Sequence, residues 1–239
     1  VMGDARLDGK GELIDSSLYP DSDNFPRPVT IGPLYISETE CTKGQFMQFI
    51  NANLEWAQSN IGTLIDNNLV DDSYLIGTAG IDNSYPVTNV SWHAANAYCE
   101  WMTQTLPAAY GGYECRLPRE EEWEYVARLS GLETDPSRWF GDSPGELRPA
   151  GSIPGDTFPV KDLYGSVWEW CADWYTSMGP LLGKTADTAL NGFGSERVVR
   201  GGSWANTNLD AITAETRGSQ PPSWCTDFLG FRVVLVRQP

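Results

Sequence analysis

Apolar residues recur at helical spacing in TKGQFMQFINANLEWA, where Phe46, Phe49, Ile50 and Leu54 fall on one face. Thr42 stands three residues ahead of Gln45, the reciprocal capping pair of a helix start, so the spacing predicts a helix here. A second helix is predicted in SWHAANAYCEWMTQ, with Ser91 as N-cap and Trp92, Ala95, Cys99 and Met102 in one stripe. A third follows in LPREEEWEYVARLSG: Pro118 suits a first turn, Glu120, Glu121 and Glu122 sit at the positive end of the dipole, and Gly131 lies just past the last periodic residue. The helix start explains those glutamates without acid/base chemistry.

Elsewhere the period changes. RPVTIGPLYISETE suits a strand or hairpin arm, and VWEWCADWY alternates as a strand with aromatics on one side. VVRGGSW and LGFRVVLV read as two neighbouring core strands joined by a long exposed connection, Ala205 to Phe228, held at both ends. Residues 58–89 and 132–161 carry no sustained period and read as excursions over the surface. No tandem repeat or low-complexity linker divides residues 1–239, so one α+β domain with large irregular loops is expected.

Composition narrows the function classes. A formal net charge of -16 repels phosphate backbones and anionic lipid surfaces, so nucleic acid is not an expected partner. No stretch approaches the roughly 18 consecutive apolar residues of a membrane span, and VMGDARLDGK has no signal-peptide core, so no membrane insertion is expected. Five cysteines form no CxxC pair and His93 is the one histidine, which leaves no zinc-type spacing and no partners for a Ser-His-Asp triad. His93 reads as a capping or surface residue at a helix start. One or two disulfides are open, with no connectivity legible.

Four segments, in order and spacing, resemble the formylglycine-generating enzyme (sulfatase-modifying factor) family: SETECTKGQFMQFI; NVSWHAANAYCEWM with RLPREEEWEYVAR; DLYGSVWEWCADWY; and RVVRGGSW with LGFRVV. The resemblance implies a C-type-lectin-like fold, low in regular secondary structure with long loops. Its tryptophans (Trp92, Trp101, Trp123, Trp168, Trp170 and Trp204) are then packing anchors rather than sugar platforms. Active members of the family hold copper between two thiolates shortly after the GGS(Y/W) motif. The positions matching them here are Asn206 and Ala211, neither of which ligates Cu(I), so no copper cofactor and no thiol oxidation are expected. The resemblance also implies a structural calcium near VWEW. Its expected ligands are Ser166, at a position the family fills with Asn, and Glu169.

Relatives of this enzyme family serve as the variable proteins of diversity-generating retroelements, in which adenine-directed mutation changes a loop between RGGSW and GFR. The runs ANTNLDAITA and CTDF contain only residues reachable from such codons, whereas Glu215, Gln220 and Trp224 are not reachable and are expected to be fixed positions. The resemblance therefore implies a binding protein with a variable loop over 205–228. Its expected ligand-facing residues are Asn206, Thr207, Asn208, Leu209, Asp210, Ile212, Thr213, Thr226, Asp227 and Phe228. The expected partner is a protein or other surface ligand, met at an extracellular, cell-surface or virion-surface location. The alternative is an enzyme of different, biosynthetic chemistry on the same scaffold, drawing on Asp210, Glu215, Arg217 and Ser203.

Overall fold

The computed structural model describes residues 29–78, 80–131, 146–152, 158–175, 194–206 and 212–238. Within them, the three periodic segments form the three long helices. α1 (Lys43–Ala52) opens on the Thr42/Gln45 capping box and buries Phe46, Phe49 and Ile50. Leu54 departs from the expected stripe: the chain leaves the helix through an Asn53 cap into a short 3-10 turn, and Leu54 is 65% exposed. Residues 58–89 are not a plain surface excursion either. They contain α2 (Ile61–Asp66) and turns that bury Leu64, Val70, Tyr74, Leu75 and Val87. Packing there is set by turns and not by a repeat, which is why no period reveals it.

α3 (Trp92–Thr105) starts at Ser91, whose hydroxyl accepts the Ala94 N–H, and buries Ala95 and Cys99. α4 (Glu120–Ser130) ends at Gly131 in the left-handed region, as the sequence predicts. Its first-turn glutamates do more than complement a dipole. Glu122 takes both arms of Arg116 at 2.7 Å and also accepts the Arg119 N–H, while Glu120 accepts from Arg217 at 2.8 Å. Both are buried structural anchors.

Two small sheets carry the remainder. β1 (Leu34–Ile36) and β2 (Tyr113–Arg116) both pair antiparallel with β7 (Val234–Arg237). The second sheet has the order β5-β4-β3-β6, built from β3 (Trp168–Trp174), β4 (Arg197–Arg200), β5 (Arg217–Gln220) and β6 (Leu229–Gly230). VVRGGSW and LGFRVVLV are therefore not partners. β4 and β6 flank β3 on opposite sides, β6 running parallel to it, and β7 crosses to the other sheet. The larger core lies between α1, α3 and these strands, with Phe46, Tyr98 and Phe231 in mutual ring contact; a smaller one gathers Trp123, Leu163, Tyr164 and Val198. Trp123 and Trp170 are fully buried, while Trp92, Trp101, Trp168 and Trp204 are half-buried.

Candidate functional site: a polar loop on a charged frame

The segment between β4 and β6 rests on two arginines. Arg200, fully buried at the end of β4, donates to Glu124 at 2.9 Å and to the Ala214 carbonyl at 2.8 Å. Arg232, just beyond β6, forks onto Glu169, with Nε to Oε2 at 2.6 Å and an Nη to Oε1 at 2.7 Å. Trp123 adds its indole N–H to the same carboxylate at 2.8 Å. Such planar, bidentate pairs fix geometry as well as charge. Neighbouring glycines make the turn that launches the segment. Gly201 and Gly202 have φ of +97° and +75°, and a Cβ on Gly202 would lie 2.9 Å from Ile212. The Trp204 N–H then closes onto the Ser166 carbonyl, and its indole donates to the Asp227 carbonyl.

The ten expected ligand-facing residues divide on this frame. Thr207, Asn208, Leu209 and Asp210 lie outside the described residues. Ile212 is corrected: it is 4% exposed and packs in the smaller core against the Gly202 turn. Asn206 is half-buried, and its Oδ1 accepts the Ser203 N–H at 2.8 Å and lies 3.2 Å from the Ser203 hydroxyl, which ties off the turn. Thr226 is half-buried, its carbonyl accepting the Asn89 N–H, and Phe228 packs partly into the larger core. Thr213 is half-exposed and Asp227 exposed, and Trp224, which sequence reasoning set aside as fixed, is 45% exposed. The segment is thus no free loop. β5 pairs along β4 in its middle, Ala214 and Cys225 are buried, and surface positions are interleaved with anchors.

The polar residues offered to a different chemistry are committed elsewhere. Glu215 bridges to Arg128, Arg217 to Glu120, and Ser203 is 1% exposed; Asp210 lies outside the described residues. His93 stacks edge-on against Trp92, and burial followed by the nearby Arg197 charge lowers its pKa, which keeps it neutral.

The residues present do not fit copper. Asn206 stands at one expected thiolate position and Ala211 at the other. Cys225, the one thiol in the segment, is buried, and burial pushes its pKa up, so it stays protonated.

Calcium fits better, though not with the expected ligands. Both Glu169 oxygens are engaged by Arg232 and Trp123, so the pairing of Ser166 with Glu169 is corrected. Ser166 has φ +55°, and its buried hydroxyl lies against the Glu40 carboxylate, 1% exposed, with no well-formed hydrogen bond on either group. Glu40 shares its buried surroundings with Asp162, Glu169 and Arg232, and burial, followed by the Asp162 charge, drives the Glu40 pKa well up. Among the described residues no three His, Cys, Asp or Glu side chains converge to hold a metal. A cation here would rely on the Ser166 hydroxyl and main-chain oxygens beside Glu40 and Asp162, which is the donor chemistry of Ca²⁺. No local pattern marked Glu40, which in SETE reads as one more solvated acid.

With this geometry in place, comparison with known proteins defines the class. Residues 7–237 match the sulfatase-modifying factor enzyme 1-like domain, and the chain belongs to that family, with its C-type-lectin-like α+β fold. The formylglycine-generating enzyme of Streptomyces coelicolor is 28% identical over 295 aligned positions, covering 97% of this chain and 88% of that protein. The inactive C-alpha-formylglycine-generating enzyme 2 of Bos taurus is 34% identical over 174 positions; the match takes in 62% of this chain and 49% of the relative, about half its length. Among solved structures, Treponema denticola variable protein 1 superposes with a TM-score of 0.61 at 21% identity, over 92% of this chain and 90% of that one. The family thus includes relatives named as enzymes and relatives named as inactive.

Proposed function

We propose that the protein is a ligand-binding member of the family, which presents the surface of residues 205–228 on a rigid frame and performs no copper-thiolate oxidation. The observation that carries this reading is the division of labour within the segment. Its ionisable side chains at 215 and 217 are spent on structural ion pairs, while Trp224 and Asp227 are left toward solvent. An active site needs a converging constellation of groups, whereas a binding surface needs exposed side chains on a preorganised base. The fold shared with a protein named for its variability supports the same reading. In this reading the Ser166 hydroxyl and main-chain oxygens beside Glu40 and Asp162 hold a structural calcium ion near the Trp204 turn.

A display library randomised at 205–211, 213 and 226–227 and panned on immobilised unrelated proteins tests the proposal. Folded binders that melt within a few degrees of the parent are expected. General unfolding of the library, or turnover of a small substrate by the parent chain that is lost on replacing Asp210 or Glu215, would overturn it. The neighbouring DNA offers an independent check: a template repeat beside a reverse transcriptase is expected, together with sibling copies that differ across 205–228.

A further inference from the structure

All five cysteines are buried and none is bonded to another. Three of them, Cys41, Cys99 and Cys115, gather in the larger core where α3 packs on β2. We propose that Cys99 and Cys115 join as a disulfide when the chain folds under oxidising conditions, stapling α3 to β2. Thr103 sets the spacing. Its Oγ1 lies 3.0 Å from the Cys99 carbonyl and accepts the Cys115 N–H at 2.8 Å, so one hydroxyl spans the two backbones. The two backbones are therefore in close apposition, as a disulfide between them requires. Both side chains point into the same core, at 1% and 5% exposure.

Cys41 is the competitor: it lies near Cys115, but its thiol is already engaged. Its thiol lies 3.7 Å from the Thr42 carbonyl and beside the Tyr98 hydroxyl, at the entrance to α1. In the closed core the Cys99 thiol is held protonated, first by burial and then by Cys115 and Cys41 alongside. Exchange therefore belongs to the folding chain, before the exposed connection 106–112 brings β2 against α3. One cysteine thiolate attacks a small-molecule disulfide such as glutathione disulfide and expels one thiolate. The second cysteine thiolate then attacks the protein-bound sulfur and expels the other. Two cysteine thiols are oxidised, one external disulfide is reduced to two thiols, and the two protons lost by the cysteines are taken up by the departing thiolates.

Refolding the full chain in glutathione disulfide, followed by digestion with a glutamate-specific protease without reduction, tests the pairing. Cleavage after Glu100 and Glu114 puts the two cysteines on separate fragments. The expected product is one linked pair, lighter by two hydrogen atoms than the sum of its parts and separated by reductant. The oxidised protein should melt on the order of 5–10 °C above the reduced one, because the bond closes a short loop of the unfolded chain. Cys41→Ser should keep the link and Cys115→Ser should abolish it. A Cys41 linkage, or free Cys99 and Cys115 in the refolded oxidised protein, would overturn the proposal. The wild-type map stands whether or not either variant folds.

Discussion

Arg200 and Arg232 bracket the polar segment, and they differ from it in almost every physical respect. Each arginine has no exposed surface and forks or bridges onto a buried carboxylate; Trp123 lies under Arg200 and donates its indole N–H to Glu169, the partner of Arg232. Between them, Ala205, Trp224 and Asp227 are exposed, and Asn206, Thr213 and Thr226 are half-buried. Frame residues have many partners and little room to change. Surface residues in the segment have few, and a side chain that carries little of the fold can be altered for recognition. The contrast teaches where specificity can vary without loss of structure.

The sharpest way to break this contrast is to open the frame. Arg232→Ala leaves the Glu169 carboxylate buried without its counter-charge, and a loss of about 3–5 kcal/mol is expected in urea denaturation. A loss under ~1 kcal/mol would mean the pair is not holding the segment. Ile212→Ala comes next, at about 2–5 kcal/mol, because it empties the space beneath the Gly202 turn. Were Ile212 a ligand contact instead, stability would not move.

The frame is also where pH acts. Asp173 on β3 accepts the Glu120 N–H at 2.7 Å, and burial, followed by the Glu120 charge, pushes its pKa up to about 7. The unfolded chain loses that proton near pH 3.9. Between roughly pH 4 and 7 the folded state therefore binds a proton the unfolded state has released, and stability falls as pH rises through that window. Asp173→Asn keeps an acceptor for the N–H and should flatten the profile, with a higher melting temperature at pH 8. An unchanged slope would assign the proton elsewhere. The smallest effect is expected on the surface of the segment: Asp227→Ala should alter stability by no more than ~0.5 kcal/mol, measured by the same denaturation.

These contrasts also mark how far the sequence could be read. α1, α3 and α4 were legible because their caps and periods are local, as at Thr42/Gln45, Ser91 and Gly131. The burial of Ile212 was not, because it is produced by the positive φ of Gly202 in a turn ten residues upstream. The same holds for Tyr74 and Val87, which are buried from turns without a period. Glu40 and Arg232 meet only through tertiary folding, Glu40 from the stretch after β1 and Arg232 from beyond β6. The loss of the thiolate positions at Asn206 and Ala211 was legible from the motif alone.

The central claim, recognition on a scaffold without a copper-thiolate centre, is tested most directly by titrating the reduced protein with Cu(I) against a colorimetric chelator. The account predicts that the chelator retains the metal and that replacing Asn206 leaves the titration unchanged. Stoichiometric Cu(I) held by sulfur in the folded protein, with oxygen consumed on adding a cysteine peptide, would contradict it.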